Sequence, residues 1–317
     1  MMDGQLKLNK YLILTVLVTI FVLVGCGRTD TEVRPAEGEP VQIIATTTML
    51  TDLVEVIGGD QVEVNGLMGP GIDPHGYRAS ASDVDVMTQA HVVAYNGLHL
   101  EGEMGRIFGE LEKLDKEVIV LEEALSQATI LDSDDEELPV DPHIWFSVPL
   151  WMEAADYVTT SLSAYDPDHA ENYQENNRAY QKELNELDTY IRGRVNELPK
   201  ESRYLVTAHD AFKYFGAEYG FEVIGLQGLN TQTEAGTRDV SQLAEFIVDH
   251  KIKAIFVETS VPTRTIESLQ QAVLQRGWSL EIGGELYSDA LGDADQNAET
   301  YLKMYRQNID TIVDALK

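Results

Sequence analysis

Residues 41–68 read VQIIATTTMLTDLVEVIGGDQVEVNGLM: a short apolar run, an amphipathic stretch and a second apolar run. Val41–Thr46 has the length and β-branched content of a buried strand, Met49–Ile57 the spacing of a helix closed by Gly58-Gly59, and Val62–Met68 a second strand. A strand, a helix and a strand in that order form a βαβ unit, which requires a parallel sheet. The alternation continues with helix Ser82–Gln89, strand His91–Tyr95, a helix from about Glu101 to Leu114, and strand Glu117–Leu121.

The rhythm breaks after Trp145. Leu150–Ser163 reads as a helix, and a long polar helix pattern runs from Pro167 to Leu198. Asp166-Pro167 supplies a cap and a first-turn proline, and Pro199 supplies a stop. Beyond it lie strand candidates Tyr204–Ala208, Phe221–Gly225, Ala254–Glu258 and Leu280–Gly283. Helix candidates Phe212–Tyr219, Val240–His250, Thr263–Arg276 and Thr300–Leu316 alternate with them. The fold expected is α/β, with two (β/α) lobes, 41–165 and 200–317, joined by a backbone helix at 166–199.

The N-terminus reads as an address. Lys7 and Lys10 precede an apolar run from Tyr11 to Val24, too short for a membrane span and followed by Leu23-Val24-Gly25-Cys26. Residues 1–25 are expected to be a lipoprotein signal peptide, with lipid attached to Cys26, the single cysteine of the chain. Residues 26–40, polar and rich in Gly, Pro and Glu, form a flexible tether. The expected location is the extracytoplasmic face of a bacterial cell membrane. With 54 acidic against 23 basic residues the formal charge is −31, which argues against nucleic acid and anionic membrane surfaces as partners.

Asp-Pro-His occurs at Asp73-Pro74-His75 and again at Asp141-Pro142-His143. His209 follows the strand ending at Ala208, and Asp289 lies beyond the strand starting at Leu280. Ligands of open α/β sheets gather outside the carboxyl ends of the strands, so these four residues converge if the sheets face one cleft. Three imidazoles and a carboxylate form a first-row metal site. Proline before His75 and His143 fixes a backbone dihedral and reduces the freedom lost on ligation. Asp73 and Asp141 either accept the second ring N–H of their histidines or only favour the turn before proline. His91, His99, His169 and His250 lie at strand, loop and helix positions that need no metal. Glu258 and Glu285 are either general bases of a metallohydrolase or structural carboxylates. No HExxH or Ser-His-Asp pattern supports the enzyme.

The segments Asp73-Pro74-His75, Asp141-Pro142-His143-Ile144-Trp145, Ala208-His209-Asp210-Ala211-Phe212, Gly225-Leu226-Gln227-Gly228, Phe256-Val257-Glu258-Thr259-Ser260 and Gly283-Gly284-Glu285-Leu286-Tyr287-Ser288-Asp289 occur in this order. In sequence and spacing the chain resembles the metal-binding lipoproteins of bacterial manganese and zinc ABC importers, solute-binding protein family 9 (cluster A-I). The resemblance implies two Rossmann-like lobes, a rigid connecting helix, and a cation held between the lobes by His75, His143, His209 and Asp289. It implies an ABC permease and its ATPase as partners, a monomeric receptor, and no enzymatic activity. Zinc importers of this family often carry a histidine-rich loop before the second Asp-Pro-His. Here that loop, Asp132–Glu137, is acidic, which favours manganese over zinc or ferrous iron.

Overall fold

A computed structural model describes residues 35–317 except 37, 115, 127, 134–137 and 234. The signal peptide, Cys26, most of the tether and most of the acidic loop therefore lie outside the described residues.

Strands β1 (Val41–Ala45), β2 (Val62–Gly66), β3 (Val92–Tyr95) and β4 (Glu117–Val120) form one parallel sheet in the order β2-β1-β3-β4. Helix α1 (Thr48–Gly58) connects β1 to β2, and α2 (Ala81–Gln89) connects β2 to β3. The oxygen of Thr47 caps α1 by accepting from the Leu50 N–H, and Ser80 with Asp83 forms a capping box on α2. The stretch from Glu101 is split: a 3₁₀ turn at Gly102–Met104 precedes helix α3 (Gly105–Lys113).

Helix α4 (Val148–Tyr165) follows, then a 3₁₀ turn at Pro167–His169 and helix α5 (Ala170–Val195). The expected long helix is thus 26 residues, about 39 Å at 1.5 Å per residue. Proline at 167 opens a tighter turn before the α-helical bonding begins.

After α5 the chain forms β5 (Tyr204–Thr207), α6 (Lys213–Tyr219), β6 (Glu222–Gly225), α7 (Thr237–His250), β7 (Ala254–Glu258), α8 (Arg264–Gln275), β8 (Glu281–Leu286) and α9 (Tyr301–Leu316). The pairs β5-β6 and β7-β8 are parallel ladders, and β5 packs beside β7. The spatial order β6-β5-β7-β8 therefore repeats the order of the first sheet. Strand β8 runs three residues past the expected end at Gly283, because Gly283-Gly284 is a bulge rather than a terminus. The ladder shifts register at Ile255/Phe256, and Gly284 has φ +147°.

One apolar core runs through both groups of strands. It includes Ile43, Leu53 and Trp145 before α5, Tyr180 and Leu187 on it, and Leu205, Phe215, Phe256, Tyr301 and Leu316 after it. Hydrogen bonds cross the same boundary. Buried Asp52 on α1 accepts the Tyr301 N–H that opens α9 (2.9 Å), and the hydroxyls of Tyr301 and Tyr305 donate to the carbonyls of Trp145 (2.7 Å) and Phe146 (2.6 Å). Buried hydroxyls find partners in this way because leaving them bare in an apolar core costs more than the bond itself contributes. Among the described residues no helix is long and apolar enough to cross a membrane.

Candidate metal centre

The strand order fixes where the loops meet. Each group of strands reverses its order between its first and third strands, and the crevice at such a reversal collects ligands. In the second group those strands are β5 and β7. His209 stands two residues past β5, and Glu258 is the last residue of β7. The Glu258 carboxylate accepts both the His209 backbone N–H (2.9 Å) and, at 2.5 Å, the ring Nδ1–H. Thr207 Oγ1 donates to the His209 carbonyl at 2.8 Å, which fixes the strand exit.

His143 is held in the same manner. Oδ1 of Asp141 accepts its backbone N–H (2.9 Å) and its Nδ1–H (2.7 Å). A carboxylate on Nδ1 sets the tautomer and leaves the Nε2 lone pair free for a metal. The Trp145 ring packs edge-on against His143, and its Nε1–H donates to the Ser288 carbonyl at 2.9 Å. Ser288 adjoins Asp289, so this one bond ties the loop of His143 to the loop of Asp289. Ser260 Oγ donates to Asp289 Oδ2 at 3.1 Å.

The first Asp-Pro-His is built differently. Asp73 Oδ1 accepts the His75 backbone N–H at 2.9 Å, while its Oδ2 accepts the Thr231 hydroxyl at 2.5 Å. Asp73 therefore shapes the turn and reaches across to the loop after β6. Of the two roles the sequence left open, Asp73 takes the turn, and of the two aspartates only Asp141 orients the ring of its own histidine, His143.

His75, His143, His209 and Asp289 each offer one donor atom, and all four atoms lie within 4.8 Å of one another. The Nε2 atoms of His75 and His143 are 3.3 Å apart. His143 Nε2 is 3.4 Å from Asp289 Oδ1, and His209 Nε2 is 3.3 Å from Asp289 Oδ2. A tetrahedral ion with bonds of roughly 2.0–2.1 Å spaces its donors by roughly 3.3–3.4 Å, so these edges suit a bound cation. His209 Nε2 and Asp289 Oδ1 are buried and have no hydrogen-bond partner. Orphaned donor atoms that converge at this spacing are what a metal site requires.

The electrostatics follow from burial and pairing. Burial pushes the His75 imidazole down to about 3, against the pull of Asp289, so it is neutral and ready to ligate. Burial also disfavours the charged form of His143, but Asp141 and Asp289 outweigh it and hold the group up at about 9. His209 is likewise raised, the charges of Asp289 and Glu258 overcoming desolvation. Asp289 lies well below the usual carboxylate range, because the imidazoles around it more than offset its burial.

The other histidines stay outside the cluster. His91 Nδ1 accepts the Gln42 N–H, His169 Nδ1 meets Asp166, and His250 Nδ1 donates to the Phe246 carbonyl. His99 sits in a left-handed turn with φ 60°. Glu285 is exposed, which fits neither a buried structural carboxylate nor a base in the site. Ser260 and Thr231 escaped the reading of the sequence: a serine or threonine in a loop carries no signal until its partner's position is known.

A parallel α/β fold whose strand ends converge on a buried three-histidine, one-carboxylate cluster defines a metal-binding protein. Residues 43–315 match the family model described as zinc-uptake complex component A, periplasmic, and the chain belongs to this family. It is similar to the manganese-binding lipoprotein MntA of Bacillus subtilis, with 42% identity over 310 residues covering 98% of this chain and 100% of that protein. It is similar also to the zinc-binding protein TroA of Treponema pallidum, 44% identical over 281 residues, covering 89% of this chain and 90% of that one. The solved structure of the periplasmic zinc-binding protein TroA superposes with a TM-score of 0.84 at 45% identity, covering 88% of this chain and 99% of that chain. The family is one of metal-uptake receptors, not of enzymes.

Proposed function

We propose that the chain captures one divalent first-row transition metal through His75, His143, His209 and Asp289 and hands it to an ABC permease driven by its ATPase. The convergence of four buried donor atoms within 4.8 Å carries this reading. Asp141 and Glu258 act through their histidines, presenting Nε2 to the ion. The receptor works as a monomer on the extracytoplasmic face, anchored by lipid on Cys26 after removal of residues 1–25 and reached through the tether 26–40. Its working parts are an N-terminal lobe 41–165, a linking segment 166–199 and a C-terminal lobe 200–317.

Manganese is the cargo we favour. The likeness to a manganese-binding lipoprotein over 98% of the chain supports it, as does a loop before the second Asp-Pro-His that contains no histidine. Both oxygens of Asp289 face imidazole nitrogens, and a two-oxygen grip would suit a larger, oxygen-preferring ion. Zinc is the second reading, favoured by the tetrahedral spacing of the donors and by the likeness to TroA. Zinc also binds a given nitrogen and oxygen site more tightly than manganese, so supply in the host decides the cargo.

His75→Ala tests the centre. Removing a ligand costs more than the roughly 10–100-fold typical of a supporting residue, so chelator-competition calorimetry is expected to show more than about a 100-fold loss for both metals. Far-UV circular dichroism of the metal-free protein stays unchanged, because no carboxylate partner of the ring is left bare. Unaltered affinity would remove His75 from the site. The metal content of protein taken from its own host, with manganese and zinc in competition, decides between the two cargoes.

A further inference from the structure

The four donors are not held equally. His143 and Asp289 are joined by the Trp145–Ser288 bond, and Asp289 is joined through Ser260 to the loop after β7. His209 is fastened by Glu258 at both its backbone and its ring. His143, His209 and Asp289 are at most 1% exposed, against 6% for His75. His75 rides on the loop 69–76, where a Cβ on Gly69 would meet no neighbour and Gly71 takes φ +71°, which gives the loop backbone freedom. Among the described residues, one hydrogen bond joins this loop to the chain beyond residue 200, that from Thr231 Oγ1 to Asp73 Oδ2 at 2.5 Å.

We propose that Thr231 is the positioning residue for metal retention: through Asp73 it latches the His75 loop over the ion, and breaking that latch is the first step of release. The inference rests on the metal-receptor reading above. Asp73 transmits the latch because one carboxylate serves both partners. Its Oδ2 takes the Thr231 hydroxyl while its Oδ1 holds the His75 N–H, so a shift of Asp73 moves the ligand's backbone. The two Asp-Pro-His copies thus divide the work. Asp141 locks a ring within its own loop, and Asp73 locks a loop to the facing one. Thr231 touches neither the donors nor the ion, so its loss leaves the ligand set complete.

The test is the rate of metal release. Full-length Thr231→Val and Thr231→Ser proteins are loaded with Zn²⁺ or Mn²⁺ and mixed with excess EDTA in a stopped-flow instrument. A hydrogen bond to a charged group corresponds to roughly 10–100-fold in an equilibrium, and this one is half-buried. Thr231→Val is therefore expected to release metal about tenfold faster. Its association rate stays at the wild-type value, its metal-free form melts slightly earlier as the loss of one half-buried hydrogen bond requires, and Thr231→Ser restores both slow release and melting temperature. Equal release rates for all three proteins would overturn the latch while leaving the centre standing. A valine variant whose loss of affinity falls on association rather than on release would reduce Thr231 to a structural role and overturn the latch as well. Failure of the wild type to take up either metal would overturn the centre, and the latch with it.

Discussion

Glu258→Gln separates the two jobs of the carboxylate behind His209. In the wild type Glu258, 1% exposed, accepts the backbone N–H at 2.9 Å and the ring Nδ1–H at 2.5 Å. Glutamine is nearly isosteric but offers one acceptor oxygen, so one buried N–H loses its partner, at roughly 1–3 kcal/mol of stability. Loss of the carboxylate also weakens the basicity and fixed tautomer of the imidazole, worth about 10–100-fold in metal affinity, or about 1.4–2.7 kcal/mol. A second effect opposes this one. Glu258 and Asp289 raise the His209 pKa in the metal-free protein, although burial works against them. At pH 7 the incoming ion must therefore displace a proton, and affinity rises with pH as that proton leaves. Glutamine removes one of the two charges that retain the proton, so the variant is handicapped less at pH 7 than the wild type. The expected result is a deficit that grows from pH 7 to pH 9 toward the limit of roughly 10–100-fold, measured by chelator-competition calorimetry at both. No deficit at pH 9, or a deficit that narrows from pH 7 to pH 9, would refute the assignment of Glu258 to His209.

Two further substitutions test the frame and the address. An added Cβ at Gly225 would lie 2.5 Å from the Asp210 nitrogen and 2.6 Å from its Cα. Gly225→Ala should therefore lower metal-free stability by about 1–3 kcal/mol and weaken metal binding by shifting the His209 loop. An unchanged melting temperature would show that the loop yields freely. Cys26→Ser should move the protein from the membrane fraction to the soluble one, and retention in the membrane would refute the lipid anchor.

The strands and the four residues that gather into one cluster were legible in the sequence because each depends on local pattern. Short β-branched runs alternating with 3.6-residue periodicity place the strands, and a histidine or aspartate just past a strand end sits where parallel sheets present ligands. What stayed hidden depends on partners far along the chain. The two Asp-Pro-His triplets are identical as text, yet Asp141 serves its own histidine ring and Asp73 a hydroxyl 158 residues away. Gly283-Gly284 read as a strand end because glycine more often interrupts a strand than bends one. Its role appears only with α9 in place, where a Cβ on Gly283 would come within 2.6 Å of Ala315. The split of the 101–114 stretch into a 3₁₀ turn and a helix was hidden for a similar reason. The carboxylate of buried Glu101 is pinned by the Thr46 hydroxyl and the Asn96 N–H, and its carbonyl accepts the Met104 N–H to open the 3₁₀ turn.

These bonds also bear on how such a receptor can let go of its ion. Opening the two groups of strands by a wide hinge would have to break Trp145–Ser288, Tyr301–Trp145, Tyr305–Phe146 and Asp52–Tyr301, all buried. At about 1–3 kcal/mol for each group left unpaired in the interior, that is roughly 4–12 kcal/mol before any apolar area is exposed. The whole stability of a domain is about 5–15 kcal/mol, so a hinge of that kind approaches unfolding. Lifting the His75 loop breaks one half-buried hydrogen bond and leaves the shared core closed. On the metal-receptor reading proposed above, the energetics favour a rigid frame around His143, His209 and Asp289, with exchange of the ion confined to His75. A permease that pulls on the loops around Asp73 and Thr231 would need to supply only that smaller work.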